Sequence, residues 1–261
     1  MNIFKKIWNF FKPEKNLYDI YDVYSILYET PNSIIYLLNH KKTNDPFICK
    51  YIHNEYYGYN ELFNLQNFKH SKIIELIEQF TVQNKIGLIF NYYPLGDVFE
   101  YCNKNYPLSE ENANRFFKEI MNCVKVCHSQ NLVHLDIKLE NFLIKSLNPL
   151  ELIIIDLAYA KILISNNILE NCDNSCGTKQ YVAPELYNKK YGYCSDIWSL
   201  GVCLYMLITG KHLYKNNKLE IHLENCSVEV KNLILKMIHP TPNLRITLED
   251  IEKDPWYNSF K

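Results

Sequence analysis

An α+β fold, with a small antiparallel sheet in its N-terminal part and a larger, mainly helical C-terminal part, is what this sequence predicts. Three observations carry that expectation. Residues 18–51 are rich in β-branched and aromatic side chains and are broken by turn signals at Thr30-Pro31-Asn32-Ser33 and Thr43-Asn44-Asp45-Pro46, which gives three antiparallel strands. Ser109-Glu110-Glu111-Asn112 is a helix start with acids in its first turn, and Phe116, Phe117, Ile120, Val124 and Cys127 follow at helical spacing. A chain of 261 residues buries a full core and fits one domain of two lobes, with little room for further modules.

In chain order, residues 1–12 place Ile3, Phe4, Ile7, Trp8 and Phe11 on one helical face and Lys5, Lys6, Asn9 and Lys12 largely opposite. Residues 1–17 therefore read as an amphipathic segment, more readily packed on its own domain than set against a membrane surface or a partner. The third strand ends at Phe47-Ile48-Cys49-Lys50, and Glu61 opens a helical pattern that closes at His70-Ser71-Lys72-Ile73. Ile86 to Phe90 is a buried strand, and Asp97 begins the next helix, where a carboxylate serves as a cap as readily as a ligand. Phe142-Leu143-Ile144 is a short strand, and the apolar run Leu152 to Ile155 delivers Asp156.

Composition narrows the function classes. A net charge of -1 and a pI near 6.7 provide no global field for nucleic acid or an anionic membrane. Nine cysteines are an odd number without a C-x-x-C pair, and Cys123 and Cys127 sit one helical turn apart like core residues, so a reducing, intracellular home is expected, cytoplasmic or nuclear. No apolar run is long enough to span a bilayer, Lys5 and Lys6 interrupt any signal-peptide run, and Asn2 departs from the N-myristoylation pattern. A monomer is expected.

His134-Leu135-Asp136-Ile137-Lys138-Leu139-Glu140-Asn141 sets an acid, a cation and an amide at offsets suited to moving a phosphoryl group. The stretch resembles the catalytic loop of eukaryotic protein kinases, H-R-D-L-K-x-x-N, with Leu135 where arginine is usual. Cys176-Gly177-Thr178-Lys179-Gln180-Tyr181-Val182-Ala183-Pro184-Glu185 resembles the C-G-T-x-x-Y-x-A-P-E segment of the serine/threonine members, and Asp196-Ile197-Trp198-Ser199-Leu200-Gly201-Val202 their D-x-W-S-L-G-V. The resemblance runs from about Tyr18 to Trp256 and has the look of the calcium/calmodulin-dependent and AMP-activated kinase groups.

What the resemblance implies is a bilobal protein-kinase fold over residues 18–257, with an N-lobe at 18–90, a hinge at 91–96 and a C-lobe at 97–257. It implies ATP and two magnesium ions, with manganese as an alternative, and a protein substrate bearing Ser or Thr hydroxyls. Asp136 would be the catalytic base and Lys138 would balance charge on the transferring phosphate, while Asn141 and Asp156 would hold metal. Lys50 would meet the α/β-phosphates, positioned by Glu61. Ile35, Ile48, Tyr92, Asp97 and Leu143 would line the nucleotide, Tyr92 from the hinge Asn91-Tyr92-Tyr93. Thr178 would hydrogen-bond toward Asp136 and Lys138, Glu185 would pair with Arg245, and Asp196 would brace the loop's backbone.

Three departures matter. Aligning Ile35 with the valine of the family's glycine-rich loop puts Tyr28, Thr30 and Ser33 on its three glycine positions, and Pro31 removes an N–H. Asp156-Leu157-Ala158 stands for D-F-G. Leu135 and Asn174 replace both halves of the usual phosphorylation switch, so activity independent of activation-loop phosphorylation is expected. The missing glycines, Ile48 and Ala158 motivate a rival reading as a pseudokinase scaffold; the joint presence of Lys50, Glu61, Asp136, Lys138, Asn141 and Asp156 speaks against it.

Overall fold

Three consecutive strands rich in β-branched and aromatic residues open the described chain. The computed structural model describes residues 17–82, 85–104, 106–164, 169–172, 176–215 and 218–260, so the amphipathic reading of residues 1–12 lies outside the described residues. A short helix, α1 (Leu17–Ile20), leads into β1 (Tyr21–Glu29), β2 (Ser33–His40) and β3 (Pro46–Ile52), each antiparallel to the next. Two further strands, β4 (Glu78–Val82) and β5 (Lys85–Asn91), complete a five-stranded sheet in the order β1-β2-β3-β5-β4. The turn signals thus fall where the strands break, while β4 carried too weak a pattern to be read.

Successive strand residues face opposite ways, which decides where Lys50 goes. Cys49 points into a core with Tyr21, Leu38, Phe80 and Ile89, where Tyr21 meets Phe47 and Phe80 edge-on at 5.5 and 6.3 Å. Lys50 and Ile52 therefore share the other face, and helix α2 (Glu55–Asn67) packs on it: a Cβ at Gly58 would lie 3.5 Å from Ile52 Cγ2. Asn54 caps α2 by accepting from Tyr57 N at 3.3 Å. The expected helix opening at Glu61 is corrected here. The helix starts six residues earlier and ends at Asn67, because the Asn54 side chain takes the first-turn N–H of Tyr57.

The described chain divides into two compact units. One runs through Lys69 and resumes from Ile74 to Tyr92; the other takes His70–Ile73 and everything from Tyr93 onward. His70–Ile73 joins the second unit through Ile73 paired with Ile154 and the Lys72 carbonyl accepting from Ile154 N at 2.8 Å.

The second unit is mainly helical. α3 (Val98–Asn103) is followed by α4 (Glu110–Ser129), which Ser109 caps by accepting from Asn112 N and which buries Phe116, Phe117, Ile120, Val124 and Cys127 as the spacing predicts. α5 (Tyr193–Thr209) is apolar nearly all round, and a helix of that kind must sit inside. Its Gly201 admits α6 (Val228–Met237): a Cβ there would stand 2.8 Å from Met237 Cβ. α7 (Leu248–Ile251) closes the unit. Between α4 and α5 lie five short strands, β6 (Leu132–Val133), β7 (Phe142–Leu147), β8 (Leu150–Ile154), β9 (Lys161–Ile162) and β10 (Glu170–Asn171), then β11 (Lys190–Tyr191). They pair as β6-β9, β7-β8 and β10-β11, and the loops they hold carry the site. Among the described residues no helix is long and apolar enough to cross a membrane.

Candidate active site

Asp136 follows β6 in a loop that cannot fold on side-chain propensity alone. Leu135 before it has φ +65°, a left-handed conformation unfavourable for a branched residue, and something must hold it there. Asp196, fully buried on α5, does so. Its Oδ1 accepts from Leu135 N at 2.9 Å, and its Oδ2 accepts from His134 N at 2.8 Å and faces His128 Nε2 at 2.9 Å. His134 braces the other side, with Nδ1 accepting from Asp136 N at 3.3 Å and Nε2 donating to Ile155 O at 3.0 Å. That pattern puts the ring hydrogen on Nε2.

The Asp136 carboxylate, 3% exposed, is surrounded by donors. Lys138 Nζ lies 2.9 Å from Oδ2, Thr178 Oγ1 donates to Oδ1 at 2.7 Å, and Asn141 Nδ2 donates to Asp136 O at 2.7 Å and to Oδ2 at 3.2 Å. Lys138 also donates to Thr178 Oγ1 at 2.9 Å, closing a ring of three side chains. Burial pulls the Lys138 ammonium toward neutrality, but the attraction of Asp136, then Asp156 and Glu140, outweighs it and raises its pKa above the usual lysine value. Lys138 is a fixed cation at neutral pH.

Thr178 reaches this ring because Gly177 precedes it. Gly177 has φ +84°, and a Cβ there would sit 2.5 Å from the Leu135 carbonyl oxygen, so only glycine lets the two loops touch. Asp156, the residue after Ile155, is placed beside Asn141 by Ile155 N donating to Asn141 O at 3.0 Å, and it too adopts a left-handed φ of +64°. Since both N–H groups of the Asn141 amide turn toward Asp136, its Oδ1 is left as an acceptor. Amide and carboxylate oxygens are what a magnesium ion takes from a protein that leaves its other positions to phosphates and water. The residues present fit the metal.

In the first unit Lys50 meets Glu61 as expected, with Nζ 2.8 Å from Oε2 and 3.0 Å from Oε1; Glu61 is 1% exposed. Ile35 lies across from Lys50 on β2, and Ile48, two residues away on the same face, lies across from Leu37 and Phe90. Tyr92 ends this unit. In the second unit Asp97 and Leu143 pair with each other in an antiparallel bridge, and Asp97 Oδ1 accepts from Glu100 N at 2.8 Å as the cap of α3. Of the two sequence readings of Asp97, the cap is the one this contact shows. Burial raises its pKa above the usual aspartate value, against the lowering effect of the Glu100 amide. Glu140 accepts from Tyr181 OH at 3.0 Å.

Sequence reasoning missed what replaces the glycines. Thr30 Oγ1 accepts from Asn32 N at 3.2 Å and Ser33 N at 3.0 Å and donates to Ser33 O at 3.1 Å. The turn between β1 and β2 is stapled by its own hydroxyl, so two amides that glycine would leave to a phosphate are engaged. Thr-Pro-Asn-Ser was the available signal, since threonine hydroxyls cap turns in this way. Also missed was Glu170, which accepts from Ile164 N at 2.9 Å and Tyr191 OH at 3.0 Å, tying β10 to β11.

A buried aspartate ringed by lysine, threonine and asparagine, with a second aspartate following Ile155 and a separate lysine–glutamate pair, offers the side-chain types that phosphoryl transfer uses. The chain belongs to the protein kinase family: the model of the protein kinase domain matches residues 30–257. It is 31% identical over 211 residues to CBL-interacting protein kinase 31 of Oryza sativa subsp. japonica, covering 76% of this chain and 46% of that one. It is 31% identical over 211 residues to SNF1-like protein kinase ssp2 of Schizosaccharomyces pombe, covering 76% and 36%. With serine/threonine-protein kinase SRK2F of Arabidopsis thaliana it shares 28% over 261 residues, covering 91% and 73%. The chain spans less than half the length of the first two. Their names fall in the group that the sequence resembles, and the family as a whole works with ATP and a divalent metal.

Proposed function

We propose that this chain is a serine/threonine protein kinase, passing the γ-phosphoryl group of ATP to side-chain hydroxyls of proteins. The observation that carries the reading is the Asp136 carboxylate held by Lys138, Thr178 and Asn141. Asp136 accepts the proton of the substrate hydroxyl as that oxygen bonds to phosphorus and the bond to ADP breaks. Lys138, kept charged, offsets negative charge on the transferring group. Thr178 fixes the carboxylate's orientation and leaves it no rotamer to explore, and the Glu61 carboxylate fixes Lys50 for the phosphates. Magnesium, held by Asp156 and Asn141 Oδ1, would neutralise phosphate charge; we assign two ions, with manganese able to replace them.

Activity independent of activation-loop phosphorylation belongs to this reading. Leu135 is buried and offers no cation, Asn174 lies outside the described residues, and Glu170 supplies a permanent carboxylate to the segment that a phosphate would otherwise tie. Ser165 and Ser175 are likewise outside the described residues. An intracellular monomer acting on protein substrates, with the nucleotide lined by Ile35, Ile48, Tyr92, Asp97 and Leu143, completes the proposal.

Transfer of labelled γ-phosphate from Mg-ATP to a generic basic protein, wild type against Asp136→Asn, tests it. Transfer that the substitution abolishes is expected, from protein never phosphorylated on this segment. Folded wild type that transfers nothing with magnesium or manganese would return the chain to the pseudokinase reading.

A further inference from the structure

Two thiols lie in contact in the segment that leads to Thr178. Cys172 Sγ and Cys176 Sγ are 3.2 Å apart, and both residues are buried, at 3% and 6% exposure. Cys172 is anchored directly after β10, where its N–H donates to Lys189 O at 2.8 Å. Cys176 is followed at once by Gly177, which packs against Leu135 O, and by Thr178, which bonds Asp136 and Lys138. A disulfide requires sulfurs about 2.05 Å apart, so the pair is roughly 1 Å from bonding distance.

We propose that Cys172 and Cys176 are a redox modification site, oxidised to a reversible disulfide by a hydroperoxide, and that this bond slows phosphoryl transfer. The second half rests on the kinase reading; the first does not. The hydrogen bond to Cys172, then burial, then the charge of Cys172 raise the Cys176 thiol, and the first attack is assigned to Cys172. Lys161 acts on Cys176 in the opposite sense. The Cys172 thiolate attacks one oxygen of hydrogen peroxide, the O–O bond breaks, and the departing hydroxide is protonated to water, leaving a sulfenic acid. Cys176 sulfur then attacks Cys172 sulfur, the S–O bond breaks, and the leaving hydroxide takes the Cys176 proton as a second water. Two thiols and one peroxide become one disulfide and two waters.

The bond acts on the site through two residues. Gly177 has no slack against Leu135 O, so drawing the sulfurs together displaces Thr178, whose hydroxyl orients Asp136 and accepts from Lys138. A catalytic group misplaced by about 1 Å costs on the order of a hundredfold in rate.

The full chain treated with hydrogen peroxide, alkylated and cleaved at Asp173 without reductant should yield a peptide pair joined through Cys172 and Cys176. Transfer activity should fall about tenfold or more, return with dithiothreitol, resist peroxide in Cys172→Ser, and stay sensitive in Cys226→Ser, whose thiol is half-buried elsewhere. Both cysteines recovered alkylated after peroxide would overturn the site, whatever the activity. A mapped disulfide with unchanged transfer would overturn its effect on catalysis. Untreated wild type that transfers no phosphate would refute the kinase reading instead, and the peptide map alone would then decide the bond.

Discussion

Arg245→Ala should cost the C-terminal unit more than any single surface change, and the structure gives the reason. The Arg245 side chain is wholly buried and spends all five N–H donors. Nη1 reaches Glu185 Oε1 at 2.7 Å and the Cys194 carbonyl, Nη2 reaches Glu185 Oε2 at 3.1 Å and His239 O at 3.0 Å, and Nε reaches His239 O at 3.1 Å. The guanidinium also lies 5.2 Å from the Trp198 ring centre. Truncation leaves two carbonyls without their donor and a buried carboxylate with Ser195 Oγ, at 2.8 Å, as its remaining hydrogen bond in this cluster. Removing one partner of such a pair costs about 3–5 kcal/mol, whereas replacing both by apolar residues costs far less. At about 2–4 °C per kcal/mol for a chain of this size, the melting temperature should drop by roughly 10 °C. Thermal unfolding measures the shift in melting temperature, and denaturant unfolding followed by tryptophan fluorescence measures the free energy. Arg245→Ala combined with Glu185→Gln should be less destabilised than the sum of the two single changes, since the orphaned charge is what costs most. A loss below about 1 kcal/mol in Arg245→Ala, or strict additivity, would refute the argument.

Other changes test the sheet and the loops. Burial, then Glu78, holds the Tyr21 hydroxyl up to about 12, so it favours folding below pH 10, where unfolded tyrosine is also neutral, and that contribution is lost as pH rises through about 12. Wild type should therefore lose denaturant resistance between pH 9 and 11 more steeply than Tyr21→Phe; parallel curves would contradict this. Gly177→Ala should destabilise the fold by about 1–3 kcal/mol and cut transfer rate, because a Cβ at φ +84° meets Leu135 O; wild-type kinetics would show that the two loops need not touch. Thr30→Gly releases the amides of Asn32 and Ser33, and KM for ATP should fall several-fold with kcat little changed; an unaltered KM would mean that this turn takes no part in nucleotide binding.

Much of this molecule follows from sequence spacing alone. Strands β1 to β3 were legible because β-branched runs end at Pro- and Asn-containing turns, and α4 because its apolar residues recur at 3.6 while Ser109 caps it. The stretch His134 to Asn141 stood out because its acid, cation and amide suit phosphoryl transfer, while Lys50 and Asp156 were singled out through the resemblance to the protein kinases. Tertiary structure decided what depends on contacts far apart in the chain. Local spacing does not say that Asp196, 61 residues on, holds Leu135 in a left-handed turn, or that Thr178 closes on Asp136; only the family resemblance led to expecting both, and the tertiary structure supplies the contacts. The start of α2 was misread because a helix begins where its free N–H groups find an acceptor, here Asn54, rather than where its functional residue stands. The Glu170 tie shares that origin; the Thr30 staple is local and had its signal in Thr-Pro-Asn-Ser, and the Cys172–Cys176 contact spans four residues, yet in each the meaning lies in the short distance between ordinary side chains, which sequence order does not encode.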